Sequence, residues 1–142
     1  MVVDVQNENR LDEILNDSHF CFPKTARLLK QEEFDFVFRG KHYIADSVLV
    51  INAAPNLSGK SRLGLSVGKK VGNAVVRNRW KRLIREAFRL NRSRIPCNID
   101  LIVRPRKDAK PDFHRICRSI VSLSRKLERK FEKMRKIPGG LR

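Results

Sequence analysis

The chain has 142 residues, enough for one domain with a real core, and a 41% hydrophobic share excludes disorder throughout. Its 32 Lys and Arg against 15 Asp and Glu leave a formal net charge of +17, an excess that repels itself and attracts polyanions. Nucleic acid is the first candidate and an anionic membrane surface the second, but no apolar run is long enough to span a bilayer.

The first twenty residues hold five acids and one base, so this lead carries −4 and the remaining 122 residues carry +21. It lacks the basic start and apolar core of a signal peptide and reads as a loose acidic arm, 1–20. A single domain is expected over 21–137, followed by a short tail, 138–142. Cys21, Cys97 and Cys117 are odd in number and widely spaced, which argues against a disulfide framework and suits a reducing cytosol. His114 and Cys117 form an isolated HxxC, better explained by a core cysteine beside a surface histidine than by a metal site.

In "RLLKQEEFDFVFRGK", Phe34, Val37 and Phe38 recur at helical spacing behind Glu32 and Glu33, and Gly40 ends the turn, predicting a helix over about 30–39. Phe36 falls off that apolar face and is expected at the surface. Two β-branched or alternating segments, 47–53 and 62–67, flank turn chemistry at 55–61 and read as an antiparallel hairpin. The glycine-punctuated "GKKVGN" then leads to Asn73, a good N-cap type for a helix running to about Asn91. A buried strand is expected at 98–105, stopped by Pro105. Apolar residues every three or four positions from Phe113 to Met134 predict a long amphipathic helix over about 112–136. The order is that of an α+β sandwich, helices on a small sheet.

The segment "NAVVRNRWKRLIREAFRLNR" (73–92) carries seven cations, six of them arginines, and one acid, Glu86. At 100° per residue Val76, Trp80, Leu83, Ile84 and Ala87 share one face, while Lys81, Arg82, Arg85 and Arg89 lie opposite with Arg77 and Arg79 flanking. The apolar residues would dock the helix and leave the cations outside. Arg77, Lys81, Arg85 and Arg89 stand four apart, and three such like-charge pairs cost on the order of 1 kcal/mol. A solvated face usually mixes signs, so an external polyanion explains the bias better. Arginine suits phosphate bidentately, and the preceding loop and helix N-terminus offer backbone donors to the same anion. "GKKVGN" lacks the GK[ST] ending of a nucleotide-binding P-loop.

The run "SRLGLSVGKKVGNAVVRNRWKRLIREAFR" (61–89), with its Arg77-Asn78-Arg79 core, resembles the signature of the bacterial ribonuclease P protein component. "RLLKQEEFDFVFRGK" (27–41) looks like that family's first helix and "DLIVRPR" (100–106) like its later strand, so the resemblance covers roughly 24–135. It implies an αβββαβα fold related to a ribosomal-protein domain, with a left-handed βαβ crossover and a further small strand within 41–46. It also implies a cytoplasmic protein subunit of ribonuclease P that assists endonucleolytic removal of the 5′ leader from precursor tRNA. The catalytic groups and the required Mg2+ would then belong to a partner RNA, with no protein partner needed. Lys69, Lys70, Asn73, Arg77, Asn78, Arg79, Lys81, Arg82 and Arg85 would hold the catalytic RNA. Phe34, Phe38 and Ile51 would mark a leader-binding cleft between the first helix and the sheet, Ile51 standing where some relatives carry an aromatic. From pattern alone, core packing is the better reading of Phe34 and Phe38.

No catalytic or metal residue is expected on the chain itself. Its histidines, His19, His42 and His114, lie in unrelated segments, and no motif pairs an acid with a base. A ribosomal or other structural RNA-binding protein shares the charge and helix chemistry, as does a DNA-binding module with the basic helix in a major groove. From Arg125 to Arg142 eight cations face two acids, which a solvated outer face explains in large part.

Overall fold

The segment expected as a buried strand, 98–105, becomes the centre of the sheet, and this decides the topology. The computed structural model describes residues 26–135. The proposed acidic arm and C-terminal tail, and with them His19 and Cys21, lie outside the described residues. The element order is α1 (Gln31–Arg39), β1 (Tyr43–Ala45), β2 (Leu49–Pro55), β3 (Arg62–Leu65), α2 (Ala74–Leu90), β4 (Ile99–Pro105) and α3 (Phe113–Arg135). Short 3-10 turns at Lys69–Val71 and Arg92–Arg94 bracket α2. The order is αβββαβα, and the small strand implied within 41–46 is present as β1.

The expected hairpin of β2 with β3 is not formed. The sheet order is β1-β2-β4-β3, with β4 antiparallel to β2 over seven residue pairs and parallel to β3 over four. The reason is burial. Residues Ile99 to Val103 of β4 are all buried, so this strand needs cover on both faces and a neighbour on each side. A hairpin would push it to an edge. The 56–61 loop carries the chain over the end of β4 instead. Asn56 N donates to Asn98 O at 2.8 Å, and Asn56 Nδ2 to Asp100 Oδ1 at 2.6 Å. The exposed edge of β3 is covered by residues before α1: Arg27 bridges Leu63, and Leu28 N donates to Leu63 O at 2.9 Å.

The two sheet faces hold separate cores. Trp80, Ile84, Ala87 and Phe88 of α2 and Ile116, Ile120, Leu123, Leu127 and Phe131 of α3 pack on Leu49, Ile51, Ala53, Leu101 and Val103. The opposite face is smaller: Leu28, Val37, Ala54 and Ile102, with Phe34 packed against them. Each large side chain fully buried contributes roughly 1.5–3 kcal/mol, so α2 and α3 anchor the domain and α1 has far less apolar grip.

An ionic clamp supplements that grip. The Arg62 guanidinium pairs with Asp100 through Nε (2.7 Å) and Nη2 (2.7 Å), and with Glu33 through Nη1 (2.8 Å). Asp100 is nearly inaccessible, so β3, β4 and the first turn of α1 are tied by one arginine. Glu33 also accepts from the backbone N–H groups of Lys30 (3.0 Å) and Leu29 (3.1 Å), closing the helix start. The Lys30 N–H is the largest influence on its carboxyl; burial acts the other way, but Leu29, Arg62 and Lys30 complete a net lowering below its ordinary 4.5.

Trp80 is 1% exposed, so Trp80→Ala is expected to lower stability by about 3–5 kcal/mol in urea unfolding. Because the folded pKa of Glu33 lies below the unfolded one, its stabilisation is present above the ordinary value and is lost as pH falls through the folded value. Acid titration followed by circular dichroism should show stability declining below about pH 4.5, and Glu33→Gln should flatten that limb.

Candidate nucleic-acid interface

Helix α2 starts where its sequence directs. The Asn73 side-chain oxygen accepts from Val76 N at 3.0 Å, satisfying one of the helix's free donors. Before it, Gly72 stands at φ +155°, and a Cβ there would meet Val76 at 3.0 Å, so the chain needs glycine to enter the helix at this angle. Lys69 and Lys70 occupy the exposed turn ahead of it. The loop thus sets two ammonium groups beside the helix N-terminus.

The expected division of α2 holds, with gradation among the cations. Trp80, Ile84, Ala87 and Phe88 are buried; Asn78, Arg79, Arg82 and Arg85 are exposed; Arg77, Lys81 and Arg89 are half-buried. Nε of Arg77 and of Arg89 is enclosed without a hydrogen-bond partner, so these two side chains run along the protein before their guanidinium groups end. The single acid does little to neutralise the face. Arg82 Nε reaches Glu86 Oε1 only at 3.5 Å, between groups 72% and 32% exposed, an ion pair of small worth.

The second expected site divides. Phe34 lies over β3, its ring so close that a Cβ on Gly64 would meet it at 2.9 Å. Phe38 is 38% and Phe36 59% exposed, with Val37 buried as the helix's anchor. Ile51 is corrected. It is fully buried, and alternation along β2 points it at α2 and α3, away from α1. Its neighbours Val50 and Asn52 face the α1 side.

Register shows what the α1 side offers. Tyr43, Asn52, Ile102 and Gly64 pair in one row across all four strands. Tyr43 is 62% exposed, and Asn52 Oδ1 is buried with no hydrogen-bond partner. The next row along the same face carries Val50 and exposed Arg104. Tyr43, Asn52 and Arg104 therefore share the α1 side of the sheet, and with Tyr43 and Arg104 exposed they leave an open strip there. Sequence reading missed all three, because a three-residue strand and a one-residue shift of face leave no periodic signal. Lys81 and Arg85 of α2 meet Phe34, Leu29 and Leu65 around a cavity of about 210 Å³, so the basic helix and the aromatic side of α1 are contiguous.

Among the described residues the acids Glu33, Asp46 and Asp100 are engaged within the fold. Glu33 and Asp100 converge only on Arg62, and Asp46 accepts from Val48 N (2.8 Å) and Leu49 N (2.9 Å). His42 packs edge-on against Phe131, and burial, aided by Lys130, lowers its pKa. Cys117 is a core residue and His114 a surface one, as the HxxC reading expects. Burial pushes the Cys117 thiol up to about 11, so it stays protonated at neutral pH. Among the described residues no group of three or more His, Cys, Asp or Glu is placed to hold a metal ion, and no helix is long and apolar enough to cross a membrane.

Comparison with known proteins places this geometry. A family model described as Ribonuclease P matches residues 22–128. The ribonuclease P protein component of Dictyoglomus thermophilum is 46% identical over 101 residues, covering 68% of this chain and 83% of that one. Its counterpart from Chlamydia trachomatis is 38% identical over 105 residues, covering 73% and 87%. Among solved structures, the Staphylococcus aureus RNase P protein aligns with TM-score 0.61 at 36% identity, covering 70% of this chain and 93% of that one. The Thermotoga maritima RNase P protein aligns with TM-score 0.64 at 32% identity, covering 70% and 96%.

Gly64→Ala is expected to displace the Phe34 ring while leaving α2 in place. In an NMR comparison the Phe34 ring resonances should shift and the amide signals of 74–90 should stay.

Proposed function

The chain belongs to the ribonuclease P protein family and is a protein subunit of that ribonucleoprotein; from this premise we propose how its surfaces divide the work. The exposed face of α2 and the Lys69–Lys70 turn hold the catalytic RNA. The open strip between α1 and the sheet holds the single-stranded 5′ leader of precursor tRNA. The observation that carries this reading is the single-signed outer face of α2 on a helix whose other face is sealed in the core.

Guanidinium groups along α2 neutralise phosphates and lower the repulsion between two RNAs brought together for cutting. The leader's bases stack on Phe38 and Tyr43, with Arg104 placed for a backbone phosphate. Asn52 Oδ1, enclosed and unsatisfied, suits a donor that arrives with the ligand. Hydrolysis is assigned to the RNA, together with the Mg2+ the holoenzyme requires. Among the described residues the convergent carboxylates, Glu33 and Asp100, are both taken by Arg62 and do not fit that ion. On this reading the complex acts in the cytoplasm and needs no second protein.

The deciding experiment is reconstitution with a ribonuclease P RNA at low magnesium. Added protein should raise cleavage of precursor tRNA at the 5′ end of the mature sequence; no gain would leave a structural RNA-binding role instead. Arg82→Ala with Arg85→Ala should weaken RNA affinity and flatten its logarithmic salt dependence by roughly one unit per lost phosphate contact, with no fall in melting temperature. Phe38→Ala should cost about 1–3 kcal/mol of affinity for leader-bearing substrate and leave mature tRNA binding unchanged, as read by equilibrium titration.

A further inference from the structure

The outer ridge of α3 is a second feature of one sign, and the function above does not use it. Arg115, Arg118, Ser122, Arg125 and Arg129 follow one another at steps of three and four, so they form a straight stripe, and all five are exposed. Of the helix's two acids, Glu128 falls on its flank, and Glu132 follows Arg129 at the next step of three and closes the row at its C-terminal end. Between this ridge and the turn that follows α2 lies a cavity of about 370 Å³ whose lining includes Arg94, Arg118, Arg125 and Arg129 and no acid. Arg125 Nε donates to the Arg94 carbonyl at 3.1 Å, which fixes that guanidinium across the cavity mouth with its two Nη groups left for another acceptor. On the other side of the ridge Arg115, Arg118 and Ser122 line a shallower cavity of about 320 Å³ beside Asp46. That carboxylate is already engaged by Val48 and Leu49 N–H.

We propose that this ridge, with Arg94, is a second phosphate-binding surface that grips a stretch of RNA backbone distinct from the one held by the exposed face of α2. Charge selects the ligand class: four of these arginines line one cavity whose lining holds no acid, and one is held in place by a backbone carbonyl. Geometry selects a separate stretch. Helix α2 ends at Leu90, 13 residues beyond Arg77 and about 20 Å of helical rise away, and Arg94 follows that end. The inference rests on the ribonucleoprotein reading for its partner, since the RNA of the same complex supplies the phosphates.

The test uses the full chain and a folded ribonuclease P RNA, with affinity measured across a potassium chloride series and backbone protection mapped by hydroxyl-radical footprinting. Replacing Arg118, Arg125 and Arg129 together by Gln should flatten the log–log salt slope by about two to three units and expose a set of nucleotides. Arg82→Gln with Arg85→Gln should expose a different set. A triple variant in which the same three arginines become Lys keeps the charge and should keep the slope, which separates lost phosphate contact from lost folding. An unchanged slope in the Gln variant overturns the proposal, and so does exposure of the same nucleotides by both sets. If the α2 pair alone has no effect on binding, the role assigned to α2 fails while the ridge is still measured on its own.

Discussion

The burial of one edge of α2 governs the rest of the molecule. Trp80, Ile84, Ala87 and Phe88 are committed to the core against the sheet, and a helix pinned along that edge has no freedom to turn its other side inward. Arginines at 79, 82 and 85 are therefore held at the surface by the packing of residues between them in sequence. Their mutual repulsion is the smaller energy: like-charge neighbours cost tenths of a kcal/mol each, whereas each large buried side chain contributes roughly 1.5–3. The fold can sustain a face it does not neutralise, and a face of one sign attracts polyanions.

The sheet separates two kinds of surface. Its α2–α3 face is filled by long helices and large apolar side chains. Its other face is only partly covered by nine-residue α1, held by Val37, by the Phe34 ring on Gly64, and by the Arg62 clamp. Breaking a pair such as Arg62–Asp100 by removing one partner leaves a charge nearly out of water, at a cost of about 3–5 kcal/mol. The clamp thus sets where α1 sits, and so how wide a strip remains open beside Tyr43, Asn52 and Arg104. A short helix fixed by charge rather than grease leaves room for a ligand that a fully packed layer would exclude.

The helix layer has an outside as well. Helix α2 and helix α3 lie on the same sheet face, and both point a row of arginines with few acids to solvent. An RNA-binding subunit with two such rows can hold its partner at separated points, which resists rotation better than one row can. The strong positive excess of the chain is then partitioned over distinct surfaces.

Among the described residues the sequence by itself determined each α-helix to within a residue or two, the central strand, the membership of the family, and which side of α2 would face out. Helical periodicity and an Asn N-cap are local signals, and local signals are legible in order along the chain. Pairing is not local. The expectation that β2 would pair with β3 failed because both-sided burial of β4 outweighed adjacency in sequence. The family resemblance alone put Ile51 in the cleft, and the strand's own period-two pattern does not say which face is which until the neighbours are known. Only the tertiary structure decided that Asn52 and Tyr43 share a row, that Arg62 joins three elements, and that Arg94 and Arg125 meet across a gap of thirty-one positions. Each is a contact between residues far apart in the chain, where the energy of burial and charge pairing, not local preference, makes the choice.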